Sequence, residues 1–231
     1  MKITYIHHSS FVVELEKSVL LFDYFTGKLP ILPKEKELMV FASHAHGDHY
    51  SPAVFEAGKG RNDVKYILSR DIDEKTVPDG VSEKVRFVEP DEKFIVDNIR
   101  IETLRSTDEG VAFWISAENC EIYHAGDLNN WWWEGEDPQW NENMASAYRK
   151  EMQKLKGRIA DAAFIPVDPR LGKWFYLGAE GFMREASAKA IFPMHFWEKY
   201  EIIESLKEHS SSEGWGDRIK TIHREGEEFV I

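Results

Sequence analysis

The fold of this chain is decided by the stretch LMVFASHAHGDH, which covers residues 38–49. Its first part, residues 38–42, is an uninterrupted apolar run of the kind that forms a buried strand. Its second part begins at Ser43 and places three histidines and one aspartate within six positions. The alternative is a polar loop whose histidines cap a helix near Ser51 and Pro52. Helix capping would not need so many histidines so close together, so the pattern indicates a metal site.

The spacing inside this stretch predicts two groups of metal ligands. In extended backbone, residues i and i+2 point to the same side, so His44 and His46 can present two imidazoles to one ion. Gly47 permits a sharp turn that directs Asp48 and His49 the other way, toward a second ion. We therefore expect one or two divalent ions, zinc first, with manganese or iron as alternatives. Asp48, beside the ions, is also the predicted proton carrier in catalysis.

Composition excludes several other classes of protein. Hydrophobic residues make up 42% of the 231 residues and aromatic residues 13%, which is ample for a packed core. A net charge of −12 disfavours nucleic acid as a partner, because such binding depends on clustered lysine and arginine. Cys120 is the only cysteine, so a metal must be held by histidine and carboxylate. Neither a signal peptide nor a membrane helix is visible, so we expect a cytoplasmic protein.

The first half of the chain is rich in short β-type runs that are separated by polar turns, which predicts a region of β-sheet. The predicted strands are residues 3–6, 11–15, 19–22, 38–42, 64–68, 85–88, 94–96, 99–104, 111–115 and 122–123.

Beyond residue 125 the hydrophobic period changes and helices alternate with strands. Helical spacing predicts a helix over residues 144–155, capped by Asn141 or Asn143 and ended near Gly157. Further helices are predicted at residues 179–190 and 198–209, and further strands at residues 162–167, 191–194, 219–222 and 228–231. No linker, repeat or low-complexity tract interrupts the chain, so we expect residues 1–231 to form a single domain of two face-to-face sheets covered by helices.

The order His44-X-His46-X-Asp48-His49 resembles the signature of the metallo-β-lactamase superfamily. Members of that superfamily share a four-layer αββα sandwich and are mostly metal-dependent hydrolases. The resemblance therefore implies an α/β fold of this architecture and a hydrolytic activity, and it extends through nearly the whole chain.

Three further segments carry the resemblance and imply roles for single residues. The run LLFD ends at Asp23, which is implied to orient the metal histidines from behind. The run YHAGD ends at Asp127, whose carboxylate is implied to bridge two metals. The run FPMH ends at His195, which is implied to complete the second site.

The opening run YIHHSSF, residues 5–11, resembles the start of the ascorbate-phosphate-lactonase-like branch of the superfamily. His8 lies in this run and is predicted to approach the metal centre and support its ligands. The alternative is that His8 makes only a structural hydrogen bond beside the end of a strand.

One departure from the family concerns the first metal. The family usually supplies a third histidine between the strand that ends near Leu104 and the strand that begins near Val111. Here the run is RSTDEG, residues 105–110, which contains no histidine. Asp108 could serve as an oxygen ligand instead, or the first site is weakened and one metal alone binds tightly. A solvated turn is the remaining alternative for Asp108.

Aromatic residues follow two of the implied ligands. Trp131, Trp132 and Trp133 come soon after Asp127, and Trp197 comes soon after His195. Three adjacent tryptophans cannot all enter one core, so we expect some of them to line a substrate pocket, form a lid or meet a second subunit. Packing under the predicted helix is the alternative.

The predicted function is that of a hydrolase that uses a metal-activated water on an ester, lactone or phosphoester bond of a small molecule. Arg170 or Lys173 could hold an anionic group of that molecule. The alternatives are a metal-binding or sensing protein without catalysis, and a phosphodiesterase or nuclease. An oxygen-reducing di-iron protein is disfavoured, because such members replace His46 with glutamate.

Overall fold

Two β-sheets packed face to face form the centre of the molecule, and the computed structural model describes residues 1–211 and 213–231. The first sheet contains β1 (Lys2–His7), β2 (Ser10–Glu14), β3 (Ser18–Phe22), β4 (Glu37–Ala42), β5 (Val64–Ser69), β6 (Val85–Val88) and β13 (Glu228–Val230). The second contains β7 (Lys93–Val96), β8 (Ile99–Arg105), β9 (Val111–Ala117), β10 (Cys120–His124), β11 (Ile159–Pro166) and β12 (Ser187–Met194). The helices in the described residues are α1 (Ala53–Ala57), α2 (Pro138–Gln153), α3 (Leu177–Glu185) and α4 (Glu201–Ser211).

Both sheets combine antiparallel and parallel strands. The first has the order β13-β1-β2-β3-β4-β5-β6, with β3 to β6 parallel to one another. The second has the order β12-β11-β10-β9-β8-β7, with β10, β11 and β12 parallel. The carboxyl ends of parallel neighbours meet at one edge of a sheet, which is where α/β proteins commonly place ligands.

Side chains along a strand point alternately to the two faces of its sheet, so each sheet can pack on both sides. Leu20 and Phe22 of β3 enter the core between the sheets, whereas Val19 and Leu21 belong to a second apolar cluster on the outer face of the first sheet. Helix α1 covers that outer face, and its Phe55 ring lies 4.9 Å from the ring of Tyr66 on β5.

Two helices cover the outer face of the second sheet. Phe182 of α3 stacks on Tyr123 of β10 with ring centroids 4.7 Å apart. The Tyr148 hydroxyl of α2 donates a hydrogen bond of 2.6 Å to the Gly178 carbonyl, which ties the two helices together. The predicted four-layer αββα sandwich is therefore the observed architecture.

Two predicted helices of the second half were wrong in their bounds. The helix expected over residues 179–190 ends at Glu185, and its last part belongs to β12. Ala188 and Ala190 are buried while Lys189 between them is exposed, so the local period is that of a strand. These residues form a strand because they pair in parallel with β11, and this packing overrides the helical preference of alanine. The helix expected over residues 198–209 begins at Glu201.

The strand expected over residues 219–222 and the caps expected for α2 were also wrong. Of residues 219–222, Ile219 alone forms a bridge, to Ile191, although Ile219 and Ile222 are both buried. Helix α2 begins at Pro138 and is capped by Asp137, which accepts hydrogen bonds from the backbone N–H groups of the helix's second and third residues.

Among the described residues, no helix combines the length and the apolar character that crossing a membrane requires.

We predict that the core between the sheets dominates stability. Replacing the fully buried Ile115 of β9 by alanine should lower the free energy of unfolding by about 2–5 kcal/mol, because it leaves a cavity. The same change at Ile95 of β7, which is 66% exposed, should cost less than about 1 kcal/mol. Urea unfolding followed by circular dichroism measures both, and equal losses would contradict the assignment of the core.

Candidate metal centre

The candidate site lies where the carboxyl ends of strands from both sheets meet. Asp23 directly follows β3, and the segment of residues 43–49 directly follows β4. From the other sheet, Asp127 comes after β10 and His195 directly after β12. His8 enters from the turn between β1 and β2. Residues far apart in sequence thus reach one place because their strands end at neighbouring edges.

A first group of ligand atoms is formed by His44, His46 and Asp127, whose ligand atoms all lie within 4.8 Å of one another. The Nε2 atom of His44 lies 3.6 Å from Oδ2 of Asp127. His44 is fully buried, whereas the side chain of His46 is 48% exposed. The group therefore reaches from the protein interior to solvent.

A second group is formed by His8, Asp48, His49 and His195, again within 4.8 Å. Oδ2 of Asp48 lies 3.4 Å from Nε2 of His8 and 3.8 Å from Nε2 of His195. His8 thus lies inside the group of ligand atoms, not behind it.

Asp127 lies between the two groups. Its Oδ1 atom is 3.2 Å from Nε2 of His49 and 3.5 Å from Nε2 of His195, while its Oδ2 faces His44 of the first group. One carboxylate thus offers an oxygen to each group, the arrangement that a bridging ligand requires.

Several buried atoms of the site have no hydrogen-bond partner within the described part of the chain, and their positions suit the binding of a metal ion. Nε2 of His8, His44 and His49 and Oδ1 of Asp127 are buried and make no hydrogen bond to any described residue. Each such atom costs about 1–3 kcal/mol unless something binds it. Donor atoms held about 2.1 Å from one zinc at tetrahedral angles lie roughly 3.4 Å apart, which is close to the separations in the second group.

The protonation of two of the histidines suits a cation, whereas at His49 the carboxylates of Asp127 and Asp23 outweigh burial and raise the pKa well above its ordinary value. Burial lowers the pKa of His8 to about 4 and that of His44 to about 4, so both imidazoles are neutral at pH 7 and keep a free lone pair. Burial alone would raise the pKa of Asp127, but the imidazoles of His49 and His195 hold that pKa well below its ordinary value. Neutral imidazoles and an ionised carboxylate are the forms in which these residues bind metal.

Asp23 holds the metal segment from behind. This fully buried carboxylate accepts a hydrogen bond of 2.7 Å from the Ser43 backbone N–H and another of 2.7 Å from the Ser43 hydroxyl. It also pairs with Nδ1 of His49 at 2.8 Å, which directs Nε2 of that ring toward Asp127. Asp23 therefore lies where the resemblance implied, behind the ligands.

Two glycines allow the strand ends to close around Ser43. Gly110 has φ +68°, and a Cβ there would lie 2.0 Å from the Ser43 carbonyl oxygen. Gly126 has φ +51°, and a Cβ there would lie 2.6 Å from the Ser43 Cβ. Any larger residue at these positions would push the two sheets apart at the site.

Asp168 supports the second group, a role that its place in the sequence did not predict. It follows β11 and is fully buried, and its Oδ2 pairs with Nδ1 of His195 at 2.9 Å. Its sequence position gave no local signal, because β11 comes to lie between the strands that lead to Asp127 and His195 only in the folded sheet. Carboxylates behind metal histidines commonly orient the ring and raise its basicity.

Asp108 lies at the margin of the first group. Its Oδ2 is 3.8 Å from Nδ1 of His46, and its side chain is 47% exposed. Burial is the main cause that raises the pKa of Asp108, with the nearby charge of Asp127 adding to it. Asp108 lies beside His46, but it does not belong to the 4.8 Å group of His44, His46 and Asp127.

A cavity of about 360 Å³ opens above the two groups. Its polar floor includes His46, Asp48, Asp108, Asp127 and His195, and its walls include Trp131, Trp133, Trp140, Met144, Arg170 and Trp197. The expectation that tryptophans line a pocket therefore holds for Trp131, Trp133 and Trp197.

Trp132 is the exception among the predicted pocket residues. Its ring packs on Trp174 at 5.6 Å and is not part of the cavity wall. Trp131 instead is buried, donates from Nε1 to the Asp127 carbonyl at 2.9 Å, and stacks on Trp133. Trp131 and Trp133 thus face each other at the cavity, whereas Trp132 between them faces Trp174.

Comparison with known proteins agrees with this geometry. The model of the beta-lactamase superfamily domain matches residues 2–132, more than half of the chain. The chain therefore belongs to the metallo-β-lactamase superfamily.

Individual relatives are distant. A metal-dependent hydrolase of Thermococcus kodakarensis is 27% identical over 147 residues, which span 55% of this chain and only 61% of that relative. A metal-dependent hydrolase of Bacillus cereus is 27% identical over 238 residues, covering 90% of this chain and 93% of the relative. A solved structure from Parabacteroides distasonis has a TM-score of 0.67 at 18% identity, covering 96% of this chain and 92% of its own. That likeness shows the fold.

We predict that Asp23 controls metal affinity without touching the metal. Asp23→Asn should weaken zinc binding by about 10–100-fold, because the amide cannot orient Ser43 and His49 as the carboxylate does. Asp73→Asn is the matched control, since Asp73 also accepts a backbone N–H but lies on the exposed surface. Competition with a chromophoric chelator measures both affinities. Wild-type affinity in a folded Asp23→Asn variant would contradict the role.

Proposed function

We propose that this protein is a metal-dependent hydrolase that cleaves an ester, lactone or phosphoester bond of a small molecule. The observation that carries the proposal is the set of unpartnered, buried ligand atoms grouped around Asp127, which itself lines an open cavity. Zinc is the ion we propose first, because imidazole and carboxylate suit it, with manganese or iron as alternatives. When bound there, a divalent cation lowers the pKa of a coordinated water toward neutrality and polarises the bond under attack.

The chain's own residues supply position and charge. Asp127 and the histidines around it hold the two groups of ligand atoms side by side, so that both face the cavity floor. Asp48 reaches that floor with a half-buried carboxylate. Burial would raise the pKa of Asp48, but His8 and His49 hold that pKa well below its ordinary value. Asp48 is therefore ionised, the form that binds a metal, and its low pKa makes it a weaker base than an ordinary carboxylate for the proposed role of proton carrier.

The walls favour an uncharged, apolar group beside the bond that is cleaved. Trp131, Trp133 and Trp197 present indole surfaces that exclude water from the floor. Arg170 also lines the cavity, but Asp168 pairs with its Nε and Nη2 atoms at 2.5–3.0 Å. Its guanidinium lies 4.7 Å from the ring of Trp197 and 5.5 Å from that of Trp133. Because Asp168 already pairs with its charge, Arg170 offers a substrate the flat face of its guanidinium and not a free positive charge.

The same lining argues against the nuclease alternative. Three aspartates and one arginine reach the cavity, so the field that a phosphate backbone would meet there is negative until cations bind. Lys173 does not relieve this, because it lies outside the cavity, over the ring of Trp174.

We expect Asp127→Ala to lose both metal and activity. The variant removes the carboxylate shared by the two groups, so kcat/KM should fall by more than about 100-fold and metal per chain should drop. Asp79→Ala, at an exposed turn, is the control and should match the wild type.

The assays are elemental analysis of protein purified without added metal and hydrolysis of p-nitrophenyl esters, aliphatic lactones and bis(p-nitrophenyl) phosphate. A wild type that binds no zinc, manganese or iron would overturn the proposal. Stoichiometric metal without turnover of any bond class would favour a metal-binding or sensing protein.

The aromatic wall should determine substrate size. Trp133→Ala should raise KM for a p-nitrophenyl ester with a long acyl chain by about tenfold, because it removes apolar contact area, and should change the KM for the acetate ester much less. Trp132→Ala is the matched control, since its ring lies outside the cavity. Equal effects of the two substitutions would show that the wall does not contact the substrate.

A further inference from the structure

The two groups of ligand atoms are unequal. The first offers two imidazoles, one of them half-exposed on His46, and shares the carboxylate of Asp127. The second offers three imidazoles and the carboxylate of Asp48, and it also faces Asp127. The additional imidazole is that of His8, which comes from a part of the chain far from the segment of residues 43–49.

The position of His8 is held by its backbone. Its N–H donates to the Tyr5 hydroxyl at 2.9 Å, and its carbonyl accepts a hydrogen bond of 3.3 Å from the backbone N–H of His195. The rings of His8 and His195 lie 4.2 Å apart, and Trp197 covers His8 at 4.5 Å. The side chain is therefore presented to the second group by both sheets.

Two features distinguish His8 from a histidine that serves only packing. Its Nε2 atom is buried and makes no hydrogen bond to a described residue, although Asp48 lies 3.4 Å away. His8 and His195 both have positive φ, 52° and 61°, in a region that residues other than glycine seldom adopt. Backbone strain of this kind persists where the surrounding structure enforces it, and it clusters at functional sites.

We propose that His8 is a metal ligand and that the second group, completed by it, binds one ion tightly while the first group binds another weakly. This inference rests on the proposed metal-dependent function. His8 gives the second group a third imidazole, whereas the first group has only two, because residues 105–110 contain no histidine. The weaker site is then the one whose His46 reaches solvent, so its ion exchanges more readily.

The first test counts imidazoles in the wild type. Metal-free protein with one equivalent of zinc is studied by X-ray absorption at the zinc edge, where each imidazole contributes a recognisable scattering pattern. We expect three imidazoles, from His8, His49 and His195. Two imidazoles would overturn the proposal, because both the first group and a second group without His8 contain two.

The second test separates the sites by calorimetric titration with zinc. We expect two binding events whose affinities differ by at least about 100-fold. His8→Ala should weaken the tight event by more than about 100-fold, since losing a ligand costs more than losing the group that orients it. His46→Ala should remove the weak event alone. His223→Ala is the control, because His223 pairs with Glu227 on the exposed surface, and it should alter neither event.

The outcomes distinguish this inference from the proposed function. A wild type that binds no zinc would overturn both. Zinc bound with two imidazoles, or a tight event unchanged in His8→Ala, would overturn the role of His8 and leave the hydrolase proposal intact.

Discussion

The buried carboxylate of Asp23 is the interaction on which the site depends. A charge with no solvent contact is stable only when hydrogen bonds surround it, and here these come from Ser43 and His49. In satisfying Asp23, the chain must leave β4 in one direction and rotate His49 toward Asp127. Ser43 is in turn enclosed by Gly110 and Gly126, so the same contact closes the second sheet onto the first. Stability and metal geometry are therefore coupled at this point.

The ligands and the cavity walls come from different parts of the fold. The ligands stand at strand ends whose pairing in the sheets is continuous, and carboxylates behind them hold His49 and His195. The cavity walls come from connecting segments after β10, β11 and β12 and from α2. A scaffold of this kind keeps the reacting groups in place while the walls vary, which is how one fold accommodates many substrates.

The two ligand groups need not be equivalent for such chemistry. Both groups border the cavity, but the group that contains His8 is richer in imidazole, whereas the group that contains His46 reaches solvent through that half-exposed ring. An enclosed ion would stabilise the closed arrangement of strand ends, because binding to the folded state alone adds to its stability.

The sequence by itself determined the elements whose signal is local. The apolar run before Ser43, the spacing of His44, His46, Asp48 and His49, and the strands of the first half could all be predicted, since neighbours along one strand have fixed directions. The family resemblance added Asp23, Asp127 and His195, and the structure brings all three to the same site.

Tertiary structure decided what depends on distant segments. His8 and Asp168 reach the ligands because the sheets place the β1–β2 turn and the end of β11 beside β12. Strand pairing with β11 ended α3 at Glu185 against the local preference of alanine, and the direction of the chain after Asp127 decided that Trp132 leaves the cavity. These outcomes depend on which strand ends become neighbours, and no spacing within one segment contains that information.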